Sequence, residues 1–170
     1  MNKTKKLTLC AVLTATALLL FIVEMQIPSF VAIPGIKIGL ANIITLLAIR
    51  LSDKKSAAMI LTCRIILGSI FAGQAVYFLY SISGGVLCYI TMCLFDKLLS
   101  EKQVWALSIL GALAHNIGQL CVAAVIMQSS KVFLYLPYLL ISAVCSGLFT
   151  GICAQFIIIC YNKTKKKGGV

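Results

Sequence analysis

Six apolar stretches fill most of this chain, and nearly all of its lysines and arginines fall between alternate pairs of them or at the two ends. A hydrocarbon core of about 30 Å asks for about 20 consecutive apolar residues of helix. Only a helix or a closed barrel satisfies its own backbone polar groups there. The stretches run near 7–27, 38–51, 56–73, 75–95, 103–128 and 132–160. The second is short and is expected to begin in the loop before it, and the last is long enough to tilt or to pass the membrane surface. They predict an all-α fold, an integral membrane bundle of six transmembrane helices. The whole of 1–170 reads as a single membrane domain, with basic tails at 1–6 and 161–170.

The basic residues give this bundle an orientation. Lys3, Lys5 and Lys6 precede the first stretch, and Arg50, Lys54 and Lys55 join the second to the third. Lys97 and Lys102 join the fourth to the fifth, and Lys163, Lys165, Lys166 and Lys167 follow the last. Only Lys37 and Lys131 fall on the opposite side, and Arg64 lies inside a stretch. Cytoplasmic loops hold the excess of lysine and arginine, so both termini are expected in the cytoplasm and the chain in the cytoplasmic (inner) membrane. The N-terminal segment, three lysines followed by an apolar run, resembles a signal peptide, but its apolar part is too long and its alanines lie inside it, so it is expected to remain as the first span.

A formal charge of +11 would suggest nucleic acid in a soluble protein. Here the charges sit in tails and short loops that face anionic lipid, without the interleaved aromatic residues of a stacking surface. No nucleic-acid partner is expected. The eight cysteines are scattered through apolar sequence without metal-ligand spacing. They read as small hydrophobes, and neither a metal nor a cofactor is expected. The only acids are Glu24, Asp53, Asp96 and Glu101. They form no aspartate cluster of the kind that holds magnesium against a diphosphate. A glycine-rich loop ending in lysine and serine or threonine is absent too, so the energy for any transport must come from a partner or an ion gradient.

Polar residues inside apolar spans are expensive in hydrocarbon and must meet the bundle interior, a partner or water. Asn42 opens the second stretch and Arg64 lies at mid-depth in the third. His115, Asn116 and Gln119 lie in the fifth, with His115 and Gln119 on one helical face. Together they form a candidate ligand site in the middle and outer half of the bundle, suited to an anionic or strongly accepting ligand. The alternative is a buried network that only fixes helix packing. Lys37, in the apolar, proline-fixed loop from Pro28 to Gly39, is a further candidate contact for an anion. Glu24, at the outer end of the first stretch, reads as a solvated interfacial carboxylate or a partner of Lys37. Gly84 and Gly85 mark a helix break or a tight contact, and Gly147 and Gly151 a packing ridge. Ala11 and Ala15 share one face of the first helix and allow close approach of another helix. A proton-driven carrier using His115 is a further reading, with no intramembrane acid nearby to couple to it.

Pro34-Gly-Ile-Lys-Ile-Gly-Leu-Ala-Asn-Ile-Ile-Thr-Leu-Leu-Ala48, Arg64-Ile-Ile-Leu-Gly-Ser69 and Ala114-His-Asn-Ile-Gly-Gln119 resemble the signature stretches of the Gx transporter family, commonly labelled heptaprenyl diphosphate synthase component I. The resemblance covers about residues 7–160. It implies a six-helix substrate-binding subunit of an energy-coupling factor transporter, which captures a small molecule from outside. Its partners would be a coupling transmembrane protein and an ATPase pair. The Pro28–Gly39 loop would serve as lid, with Ala11 and Ala15 against the coupling protein. The family's label implies an alternative, a membrane component that assists a soluble prenyl synthase without doing the chemistry itself.

Overall fold

A computed structural model describes residues 3–26 and 39–167. Among these described residues six α-helices follow one another: α1 Lys3–Gln26, α2 Asn42–Leu51, α3 Lys54–Ala72, α4 Ala75–Phe95, α5 Val104–Met127 and α6 Leu136–Lys167. Short 3-10 turns at Glu101–Gln103 and Ser130–Tyr135 lead into α5 and α6. Five of the helices are long and apolar enough to cross a membrane, and the chain is a multi-pass membrane protein. The second stretch differs from the others. Its helix starts at Asn42 rather than near residue 38 and has 10 residues, about 15 Å at 1.5 Å per residue, half of a hydrocarbon core.

That short helix is the centre of the bundle. α1, α3, α4, α5 and α6 pack each on the next in that order, and α2 touches all five. Ile44, Leu46, Leu47, Ala48 and Ile49 are buried on every side of α2, as expected of a helix apolar all round. The outer helices bury one stripe each. In α1 it is Cys10, Leu13, Ala17, Phe21 and Glu24, spaced three or four residues apart, while Leu19, Val23 and their neighbours stay exposed where lipid lies.

Helix ends follow local chemistry. Asp53 caps α3, its carboxylate accepting from the Ser56 N–H and from the Ser56 and Ser52 hydroxyls, which satisfies donors that a helix start leaves open. α3 ends at Gly73 in the left-handed region, φ 67°, where glycine carries no Cβ penalty. α4 runs without a break through Gly84 and Gly85; of the two readings of those glycines, the close contact is the one observed. At 32 residues, α6 extends about 48 Å and so outruns a hydrocarbon core.

The charged groups gather at one end. Arg50 pairs with Asp96 at 3.0 Å and donates to the Leu99 carbonyl at 2.9 Å. Lys54 donates to the Cys93 carbonyl at 2.7 Å, and Lys6 pairs with Asp53 at 2.8 Å. The Asn162 amide donates to Glu101 at 3.3 Å. These links bring the start of α1 and the end of α6 to the same end of the bundle. Lys6 and the Ser56 hydroxyl hold the Asp53 carboxyl well below the usual carboxylate range.

Candidate functional site

The stripe that packs α1 into the bundle ends in a carboxylate. Glu24 follows Phe21 by three residues, so the same helical face that buries Phe21 carries Glu24 inside, at 5 % exposure. Of the two sequence expectations for Glu24, the solvated interfacial group is corrected here, since stripe position and not distance from the helix end decides its burial, and the pairing with Lys37 falls on a residue outside the described ones. Its Oε1 accepts the N–H of Gly39, so the carboxylate seals the turn that opens α2.

Gly39 has two reasons to be glycine. Its φ is +84°, a conformation L side chains rarely adopt. A Cβ there would also stand 2.7 Å from Asn42 Nδ2 and 3.0 Å from His115 Cδ2. The backbone of the turn thus lies directly on both side chains. On the opposite edge of the imidazole lies Gly84 of α4, where a Cβ would come within 2.7 Å of His115 Nδ1 and 2.8 Å of Cε1. Two glycines from different parts of the chain therefore clasp one histidine.

Arg64, on α3, is buried at 4 % exposure. Its Nη2 donates to Asn42 Oδ1 at a long 3.4 Å, a weak bond by length. The same Nη2 lies 3.6 Å from where a Cβ of Gly85 would be. Asn42 Nδ2, also buried, makes no hydrogen bond among the described residues. An unmatched buried donor is costly, and this one lies beside a cation and the N-terminus of a half-length helix.

The sequence-derived candidates divide accordingly. Asn42, Arg64 and His115 come together around Gly39, and Glu24 joins them. Asn116, one residue on from His115, donates from Nδ2 to the Leu139 carbonyl at 2.9 Å and so ties α5 to α6. Gln119, one turn beyond His115, is buried within α5 at 1 % exposure. Lys37 and nearly all of the Pro28–Gly39 loop lie outside the described residues. Ala11 and Ala15 are exposed on the face of α1 opposite its buried stripe. Sequence reasoning missed Glu24 as a member of the cluster and Gly84 as the support of His115. The stripe Cys10, Leu13, Ala17, Phe21 was the available signal for the first.

The other three acids are occupied elsewhere: Asp53 caps α3, Asp96 pairs with Arg50, and Glu101 meets Asn162. A cluster able to hold magnesium on a diphosphate is not formed by them. Among the described residues, the cluster around Gly39 offers donors, one buried carboxylate and one permanent cation.

Comparison with known proteins gives one family. A family model described as heptaprenyl diphosphate synthase component I matches residues 13–157. Among curated proteins and among solved structures, none matches significantly.

Proposed function

The chain belongs to the heptaprenyl diphosphate synthase component I family, and from that premise we propose that it is the substrate-binding membrane subunit of an energy-coupling factor type uptake transporter. The observation that carries this reading is the buried polar cluster of Glu24, Asn42, Arg64 and His115 at the N-terminal tip of a half-length central helix. Discontinuous or short helices whose ends meet polar side chains at mid-depth are how transporters build binding sites. The ligand is small and polar-headed. Asn42, Arg64 and His115 contact it, with Lys37, Asn116 and Gln119 as further contacts.

Orientation and energy follow from the same features. Lys6, Arg50 and Lys54 share one end of the bundle, and the excess of positive charge assigns that end to the cytoplasm of the inner membrane. The Asn42 end of α2 then points toward the outside, from which the ligand enters. Lacking a phosphate-binding loop, the chain takes its energy from a coupling transmembrane protein and an ATPase pair. Ala11 and Ala15 offer the coupling protein a smooth outward face on α1.

Ligand release is the test. Native mass spectrometry of the gently solubilised protein is expected to find a small molecule that is missing from a folded Arg64→Ala variant. Equal occupancy in that variant would sink the assignment of the site. The family description itself favours a second reading, a non-catalytic membrane component of heptaprenyl diphosphate synthesis. That reading expects a stably attached soluble prenyl synthase and an empty site.

A further inference from the structure

We infer that Glu24 is a positioning residue: by accepting the Gly39 N–H it sets how closely the turn before α2 lies on Asn42 and His115, and through them how tightly the site holds its ligand. The second half rests on the capture reading, while the first half stands without it.

The start of α2 has no side-chain hold of its own. Ala41 stands at the N-cap, where no side chain caps the helix. The N–H groups of Asn42, Ile43 and Ile44 turn back onto the carbonyls of Gly39, Leu40 and Ala41 at 3.0, 3.2 and 3.2 Å. Bonds of this kind satisfy the donors of a helix start, but they tie the turn only to itself. Gly39 is where the turn meets other helices. Its missing side chain admits Asn42 Nδ2 and the Cδ2 edge of His115, and its N–H goes to Glu24 on α1.

Glu24 sits on a part of α1 that packing fixes in place. Phe21, one turn before it, fills the space that Gly68 leaves on α3, where a Cβ would come within 3.0 Å of the ring. Gly68 follows Arg64 by one turn of α3. The helix that carries Arg64 is therefore packed on α1, and the Glu24 bond passes that placement on to the turn beside Asn42 and His115. Groups that touch a ligand have to be held within about 0.5 Å by such supports. The role asks for an acceptor oxygen at position 24, which glutamine supplies and leucine does not.

His115 is the only histidine in the chain, so its ring signals are read without overlap. The untagged full chain, labelled with 13C-histidine in detergent micelles, is compared as parent, Glu24→Gln and Glu24→Leu, each with its melting curve. The Cδ2 edge lies against Gly39 and Cε1 against Gly84. Glu24→Leu is expected to shift or broaden the Cδ2–H signal more than the Cε1–H signal, and Glu24→Gln to leave both where the parent has them. Native mass spectrometry then reads occupancy by the small molecule that co-purifies with the parent. It should fall roughly tenfold or more in Glu24→Leu, what one lost hydrogen bond is worth, and hold in Glu24→Gln. A Cδ2–H signal that stays in place in folded Glu24→Leu overturns the inference. So does a signal or an occupancy that changes as much in Glu24→Gln as in Glu24→Leu, since the carboxylate would then act by its charge and not through Gly39. If Glu24→Leu does not fold, Glu24→Gln decides alone: an unmoved Cδ2–H signal supports the role and a moved one overturns it. If no small molecule co-purifies with the parent, the capture reading fails and the ring signals still decide whether Glu24 positions the turn.

Discussion

Two adjacent glycines in α4 should respond to the same substitution with different signs. At Gly84 a Cβ would stand 2.7 Å from His115 Nδ1, 2.8 Å from Cε1 and 3.0 Å from the His115 backbone oxygen. The ring has no room to withdraw, since its other edge lies against Gly39. Overpacking of this kind costs about 1–3 kcal/mol, and a backbone atom among the contacts argues for the upper end. Exchanging glycine for alanine in a helix returns about 1 kcal/mol. Gly84→Ala is therefore expected to lose about 2 kcal/mol. At Gly85 the nearest atoms, 3.2 Å away, are the terminal methyls of Ile65 and Leu61, which have rotamer freedom. There the helix gain should offset the crowding, and Gly85→Ala should be neutral to slightly stabilising. Thermal melting in detergent reads the difference, at roughly 2–4 °C per kcal/mol for a chain of this size. The assignment of cause is checked in a His115→Ala background, where the penalty of Gly84→Ala should shrink by half or more. An undiminished penalty there would show that the imidazole is not what Gly84 accommodates, and the clasp would have to be abandoned.

Two further predictions concern the Asp53 cap of α3 and the outward face of α1. The Asp53 carboxyl has a folded-state pKa lowered chiefly by Lys6, then by Ser56. Its contribution is therefore complete above the ordinary carboxylate value of 3.8 and fades as pH falls through the lower folded-state value. Stability should be flat in this respect from pH 7 to about 4, and Asp53→Ala should lose about 1 kcal/mol of cap energy. A variant that melts with the parent at pH 7 would contradict the cap. Leucine at both Ala11 and Ala15 should leave the melting temperature unchanged, because both face outward, while co-purification with a coupling protein is lost. Retained co-purification would remove α1 as the docking face.

What the sequence made legible was whatever stood out against an apolar background. Arg64 and His115 are conspicuous because nothing else in their stretches is charged or titratable in the same way, and the structure brings both to one place. The shared basic end was legible because charge distribution along the chain maps directly onto bundle ends when helices alternate in direction. Glu24 was not conspicuous, since a carboxylate near a helix end is ordinarily solvated. Only the spacing from Phe21 and Ala17 shows that it continues a buried stripe. His115 and Asn116 raise a different difficulty. Consecutive residues on a helix point about 100° apart, so a polar pair in sequence addresses two different neighbours, here the Gly39 turn and the Leu139 carbonyl. A list of polar residues cannot make that division without the helix order around α2. The glycines are the hardest to read. Gly39 and Gly84 are far apart in the chain and each has a local excuse to be glycine, yet what they share is the width of one imidazole ring. A site held by missing side chains leaves its record in residues that have no chemistry of their own, and the partner that explains each glycine lies on another helix.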